Sequence, residues 1–236
     1  MTFWGTPRRR TERPWLHQCG SVDEARAARA AGADGVILQG VEAGGHVRGR
    51  TPAAELLRAA REALPDGYPL LLAGGIADAA DVQKALAAGA EAAVLGTRFL
   101  MSDESGARSA YKQRLMESRE TVLTELFGLA WPNAPHRVVW NEAAERWLTG
   151  DRRGPRWVRT ANRITGPALS RLPESLQRTA LKAQKANVPF LSPQPPSQTA
   201  PSSLLDSGPL YAGETVARIH DIRPAAELVR ELAGVG

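Results

Sequence analysis

Pro69–Leu100 reads PLLLAGGIADAADVQKALAAGAEAAVLGTRFL. It contains two short apolar runs, Pro69–Leu72 and Ala92–Leu95. Glycine follows each of them, Gly74-Gly75 after the first and Gly96 after the second. Between the runs, Asp78 stands where a helix N-cap belongs and Gly89 where the helix closes. Strand, glycine turn, helix and strand at this spacing make parallel βα units. The runs are continuously apolar rather than alternating, as expected of strands buried on both faces.

The same grammar extends in both directions. Trp15–Cys19 reads as a strand, and Ser21 with Glu24 forms a capping box opening a helix that ends at Gly32. Gly35–Leu38 is the next strand, followed by the loop Gln39–Arg50. Thr51 is placed to cap a helix with Pro52 in its first turn, where a missing N–H costs nothing. After Gly96, Ser102 is expected to open another helix running to about Ser118. The fold class is α/β. Its glycine-rich and polar stretches fall at strand C-terminal ends, where α/β sheets and barrels place ligands.

Downstream the text changes. Glu120–Arg163 is rich in Trp and Arg and carries no strand signals, and Trp131–His136 reads as a rigid turn. Glu142–Leu148 and Pro173–Lys185 are short helical patterns. Pro189–Pro209 is a Pro/Ser/Gln stretch expected to cross the surface without forming core. Pro224–Ala233 is a last helix, with Ala225, Leu228, Val229 and Leu232 on one face.

The 236 residues are 43% hydrophobic and 23% charged, an ordinary globular composition. Thirty Lys and Arg against 25 Asp and Glu give a net charge of +5. Arg8–Arg10 and Arg152–Arg163 are the candidate basic patches, and a solvated surface explains them better than nucleic acid. The single cysteine, Cys19, excludes an internal disulfide framework and a cysteine-based zinc site. No apolar run approaches the ~18 residues of a membrane span, and Met1–Arg10 has no signal-peptide core. The expectation is a cytoplasmic protein without metal, nucleic acid or membrane partners.

Chemistry concentrates in Gln39–Gly49, QGVEAGGHVRG, where four glycines surround His46. So many glycines cost backbone entropy. They make sense if the backbone passes close to a flat or anionic ligand with His46 aimed at it. A lone loop histidine is more often a surface residue; Gly44-Gly45 at a strand end turns the balance toward a site. The loops at Gly74-Gly75 and Gly96-Thr97 offer backbone N–H groups beside helix N-termini, a phosphate-binding arrangement. One such loop reads as a tight turn, whereas two in succession favour a phosphate.

Four stretches together resemble the signatures of the nitronate monooxygenase (2-nitropropane dioxygenase) family. They are GADGVILQGVEAGGHVRG (32–49), PLLLAGGIADAADVQKALAAGAEAAVLGTRFL (69–100), ETVLTELFGLAWPNAPHRV (120–138) and GPLYAGETVARIHDIRPAAELV (208–229). The resemblance implies an FMN enzyme on a TIM-type β/α barrel that oxidises nitronates or nitroalkanes with O₂ to a carbonyl compound and nitrite. It implies that His46 is the active-site base. Gln39, Gly44 and Gly45 would line the flavin, and Gly74, Gly75, Leu95, Gly96 and Thr97 would surround its phosphate. An imidazole with a pKa of ~6.5 suits proton abstraction near neutral pH.

A (β/α)₈ barrel needs eight strand–helix units, typically ~250 residues. Four are legible, with Thr2–Gly5 resembling the end of one more strand. The expected organisation is the C-terminal half of a barrel over 1–119, a helical region over 120–188, a linker over 189–209 and a returning segment over 210–236. A chain so built is expected to bind FMN poorly by itself. Two other functions stay open: an FMN-dependent enoyl-acyl carrier protein reductase-like enzyme, which would need a nicotinamide cofactor, and a non-catalytic half-barrel. His17 and Cys19 read as packing or pocket-lining residues, His17 with the option of facing the flavin. His136 reads as structural, His220 and Asp221 as too isolated for a dyad, and Trp140, Trp147 and Trp157 as packing.

Overall fold

The computed structural model describes residues 13–169, 171 and 173–234. Thr2–Gly5 and Arg8–Arg10 lie outside them. In chain order the elements begin β1 (Leu16–Cys19), α1 (Val22–Ala30), β2 (Gly35–Gln39), β3 (Gly45–His46), α2 (Ala53–Ala63), β4 (Leu70–Ala73), α3 (Ala79–Ala87) and β5 (Ala92–Val94). They continue α4 (Thr97–Leu100), α5 (Ser109–Glu117), β6 (Thr121–Thr124), β7 (His136–Val139), α6 (Glu142–Trp147), α7 (Arg156–Leu169), α8 (Glu174–Ala183), α9 (Leu204–Ser207), a 3-10 turn at Glu214–Arg218 and α10 (Ala225–Ala233). The chain divides into two compact units, residues 13–42 with 48–95 and residues 43–47 with 96–234.

The first unit is a parallel sheet in the order β1-β2-β4-β5, open among the described residues. Each strand pairs with the strand of the next βα unit, as the apolar runs predict. Leu38, Leu56, Leu57 and Leu70 are fully buried between sheet and helices, each contributing ~1.5–3 kcal/mol of apolar burial. Ser21 accepts from Glu24 N at 3.2 Å, and the Glu24 carboxylate accepts from Gly20 N at 2.7 Å. Asp78 accepts from Asp81 N at 2.9 Å, and Gly89 closes α3 at φ +94°.

Thr51 does not cap α2. The N-cap is Pro52, which has no side-chain bond to offer. The Glu42 carboxylate fills that role instead, accepting from Ala53 N at 3.0 and 3.1 Å. A negative charge there also complements the positive end of the helix.

The second unit contains an antiparallel sheet, β3-β7-β6, where the sequence showed no strand. Both longer strands are four residues, and β7 opens on His136 and Arg137, so their apolar pattern is too short to register. All four residues of β7 are nevertheless buried. Ser102 does not start a helix either. Its hydroxyl donates to Phe99 O at 2.8 Å, at the end of the four-residue α4, and α5 begins only at Ser109.

The Pro/Ser-rich stretch also departs from expectation. Leu191 and Leu204 are fully buried, Leu191 in a core with Val122, Leu126, Phe127 and Val138. Isolated leucines anchor this segment, which includes α9. Trp140 and Trp147 pack against the same core, whereas Trp157 is exposed. On α10, Leu228 and Leu232 are buried and Val229 is exposed. Arg98 is buried and grips the returning segment, its guanidinium 2.5 Å from the Asp221 carboxylate and donating to Asp221 O at 2.8 Å. Among the described residues no helix is long and apolar enough to cross a membrane.

Candidate active site

His46 sits on a strand of only two residues. Three contacts fix it within the second unit: Gly45 pairs with Arg137, His46 pairs with His136, and Val47 N donates to Pro135 O at 2.8 Å. The two preceding glycines serve different needs. At Gly44 a Cβ would run into the backbone of Ala212 and Gly213. At Gly45 a Cβ would meet nothing within 4 Å, but φ is +73°, a conformation that glycine adopts without penalty.

Three rings enclose the imidazole. Trp131 stacks on it at 5.0 Å between centroids and 29° between planes. His136 lies edge-on at 5.5 Å, and Tyr211 is tilted at 5.7 Å. Burial holds the His46 pKa below the ordinary histidine value, favouring the neutral ring.

His136 is fully buried and both its nitrogens are engaged. Nδ1 lies 2.9 Å from Ala134 O, and Nε2 accepts from Phe127 N at 3.3 Å. That pattern fixes the neutral tautomer with the proton on Nδ1. Burial pushes its pKa down to about 4. Tyr211 is tied as well, its hydroxyl donating to Pro193 O at 2.7 Å. Its pKa is raised by burial. Of the two histidines, His136 is the fully buried one and His46 is half-buried.

The other expected site residues divide between the units. Gln39, Gly74, Gly75 and Leu95 belong to the first. Gln39 is buried, and its side-chain oxygen accepts from Arg48 N at 3.0 Å, closing the glycine-rich loop. Arg48 in turn binds Glu24 through Nη2 at 2.8 Å and Nε at 3.2 Å. Gly74 and Gly75 both have positive φ, +101° and +74°. Leu95 packs against the core of this unit.

Gly96 and Thr97 belong to the second unit. The Thr97 hydroxyl accepts from Gly213 N at 2.9 Å, tying α4 to the returning segment. A helix as short as α4 carries a weak N-terminal field, which corrects the expectation of a full helix N-terminus at Gly96. At Gly75 a Cβ would make ordinary contact with Glu42, 3.8 Å away.

The loop glycines are also explained differently from expectation. A Cβ at Gly40 would collide with Ala53, and Gly49 lies against the backbone of Gly20. With Gly44, three of the four serve close approach of the protein to itself. His17 lies edge-on to Trp15 at 5.8 Å. Cys19 is buried, its thiol pushed up to about 11, which makes it a packing residue and a poor nucleophile. Asp221 is held by Arg98, and His220 Nδ1 stands 3.4 Å from an Arg119 nitrogen.

Sequence reasoning missed Trp131 and Tyr211 as neighbours of His46. The available signal was a large aromatic in a Pro/Asn turn and a tyrosine beside Gly208 and Gly213. Neither reveals a partner so far away along the chain.

A family model described as nitronate monooxygenase matches residues 14–234. A nitronate monooxygenase of Pseudomonas aeruginosa is 37% identical over 131 residues, covering 52% of this chain and 37% of that protein. A (3aS,4S,5R,7aS)-5-hydroxy-7a-methyl-1-oxo-octahydro-1H-indene-4-carboxyl-CoA dehydrogenase of Mycobacterium tuberculosis is 35% identical over 137 residues, covering 56% of this chain and 37% of that protein. Among solved structures, nitroalkane oxidase from Streptomyces ansochromogenes superposes with a TM-score of 0.65 at 32% identity, over 93% of this chain and 56% of that one. The chain thus spans little more than a third of the length of these two curated relatives.

Proposed function

The chain belongs to the nitronate monooxygenase family, and on that ground we propose that the protein oxidises nitronates, and nitroalkanes after deprotonation, with O₂ to a carbonyl compound and nitrite. The observation that carries this reading is His46, a neutral imidazole in an aromatic enclosure, held on a strand whose geometry Gly44 and Gly45 make possible. A neutral imidazole takes the proton from the carbon bearing the nitro group, and the resulting imidazolium then faces the nitronate it has produced.

The proposed redox group is FMN, which supplies the electron transfer when bound. The residues fit it. Gly96 has an unstrained backbone (φ −100°), and no heavy atom lies within 4 Å of where its Cβ would stand. The fold's own packing therefore does not require glycine there, and a phosphate has room to approach the backbone. The family pattern assigns phosphate contacts to Gly74, Gly75, Leu95, Gly96 and Thr97, and flavin contacts to Gln39, Gly44 and Gly45. Positive φ at Gly74 and Gly75 supports close backbone approach in that loop. The parallel sheet is proposed to form consecutive units of a TIM-type barrel, supported by a strand order that follows the order of the βα units.

The test is to purify the protein, quantify its flavin, and measure O₂ uptake and nitrite release with propyl-2-nitronate. With FMN supplied in excess, because the chain by itself is expected to bind it poorly, nitronate-dependent nitrite with stoichiometric O₂ uptake is expected. Flavin reduction by NADH with turnover of an enoyl thioester, and no nitrite, would instead establish the reductase reading.

A further inference from the structure

Trp131 lies on His46, yet it is 59% exposed, so packing of the core does not explain its position. The turn that carries it is built to hold it. Trp131 N donates to Gly128 O at 3.0 Å. Ala130 and Asn133 flank it in the left-handed region, at φ +64° and +58°. Such a conformation costs a non-glycine residue ~1–2 kcal/mol. Pro132 rests on α7 at Gly166, where a Cβ would stand 2.8 Å from Pro132 Cδ. A strained turn clamped by a neighbouring helix holds an indole half in solvent against the candidate base. Backbone strain of this kind gathers where function requires it.

The rest of the enclosure indicates what lies beside that indole. His136 and Tyr211 have their polar atoms bound within the protein and present ring surface to His46. Arg137, next to His136 on β7, is engaged by Glu214 at 2.9 Å and Thr121 at 3.2 Å, so its charge is already matched. Among the described residues, the rings around His46 are aromatic, and the charge of neighbouring Arg137 is matched.

We infer that Trp131 is a specificity-determining residue, lying against the alkyl or aryl substituent of the nitro compound whose α-carbon His46 serves. The site therefore takes nitro compounds with uncharged apolar chains of several carbons, in preference to very small ones or those bearing a carboxylate. This rests on the function proposed above, naming the substrate class of the same site.

The test uses binding as well as turnover. The 236-residue chain is titrated with nitroethane, 1-nitropropane, 1-nitrobutane, 1-nitrohexane and 3-nitropropionate. Binding is followed by the indole N–H resonance lost in Trp131→Phe and by the His46 ring resonances. Affinity should rise about two- to fourfold per added methylene, and 3-nitropropionate should bind more weakly than 1-nitropropane. Trp131→Phe should keep most of the rise, while Trp131→Ala and Trp131→Gln should flatten it. Because the side chain is largely exposed, these variants should fold, and circular dichroism checks that they do. An unchanged slope in both Ala and Gln variants, or no binding of any member by the wild type, overturns the inference. A Trp131-dependent slope without nitrite release refutes the proposed oxidation and leaves the selection standing. Nitrite release with a chain-length preference unaffected by Trp131 does the opposite.

Discussion

His46 and His136 are direct partners across an antiparallel pair, their ring centroids 5.5 Å apart at 61°, and His136 is the more deeply buried of the two. His136 is fully buried and bridges Phe127 N and Ala134 O; His46 is half-buried at the edge of the same strand pair. His136→Asn should therefore lower stability by about 1–3 kcal/mol through lost bonds to buried backbone groups. His46→Asn, at a half-buried ring, should cost less than that. Urea melts of the two variants check this.

The same pair sets a pH dependence of stability. The His136 pKa is about 4 in the fold, lowered by burial, against ~6.5 unfolded. Below pH 6.5 the unfolded chain binds a proton that the fold refuses, so stability is complete above 6.5 and falls as pH drops toward 4. The loss at pH 4 should be about 3 kcal/mol from this group, and His46 adds in the same direction. Urea melts between pH 7 and pH 4 should show the fall, and a His136 variant should show a shallower one.

Gly44 and Gly45 should separate by mechanism. Gly45→Ala meets no atoms but must hold φ +73°, which costs ~1–2 kcal/mol. Gly44→Ala drives a methyl into the backbone of Ala212 and Gly213, so the returning segment or β3 must move. It should cost more than Gly45→Ala and shift the Tyr211 resonances. Thermal melts and Tyr211 chemical shifts measure both.

Gly96→Asp should remove flavin without unfolding the protein. The backbone there is ordinary and the Cβ position is open, while a carboxylate would repel the phosphate expected at that loop. Affinity for added FMN should fall at least tenfold at an unchanged melting temperature. Full retention would place the phosphate elsewhere.

The parallel sheet was legible because β2 and β4 are continuous apolar runs with glycine after each and helices capped by Ser21 and Asp78. The antiparallel sheet was not. Its strand β3 is two residues inside a glycine-rich loop, and β7 hides its two valines behind His136 and Arg137. His46 stood out through Gly44-Gly45, although Gly40, Gly44 and Gly49 proved to serve protein packing. Trp131 and Tyr211 were illegible as site residues, because their relation to His46 arises from strand pairing and a strained turn, which no local pattern encodes.

The most direct test of the central claim is nitrite release by His46→Asn on a nitroalkane and on the nitronate derived from it. As the proton-abstracting base, His46 should be worth about 10²–10⁴-fold in kcat/KM on the neutral nitroalkane and far less on the nitronate, which has already lost its proton. Equal losses on both substrates, with flavin content intact, would contradict the assignment of His46 as the base.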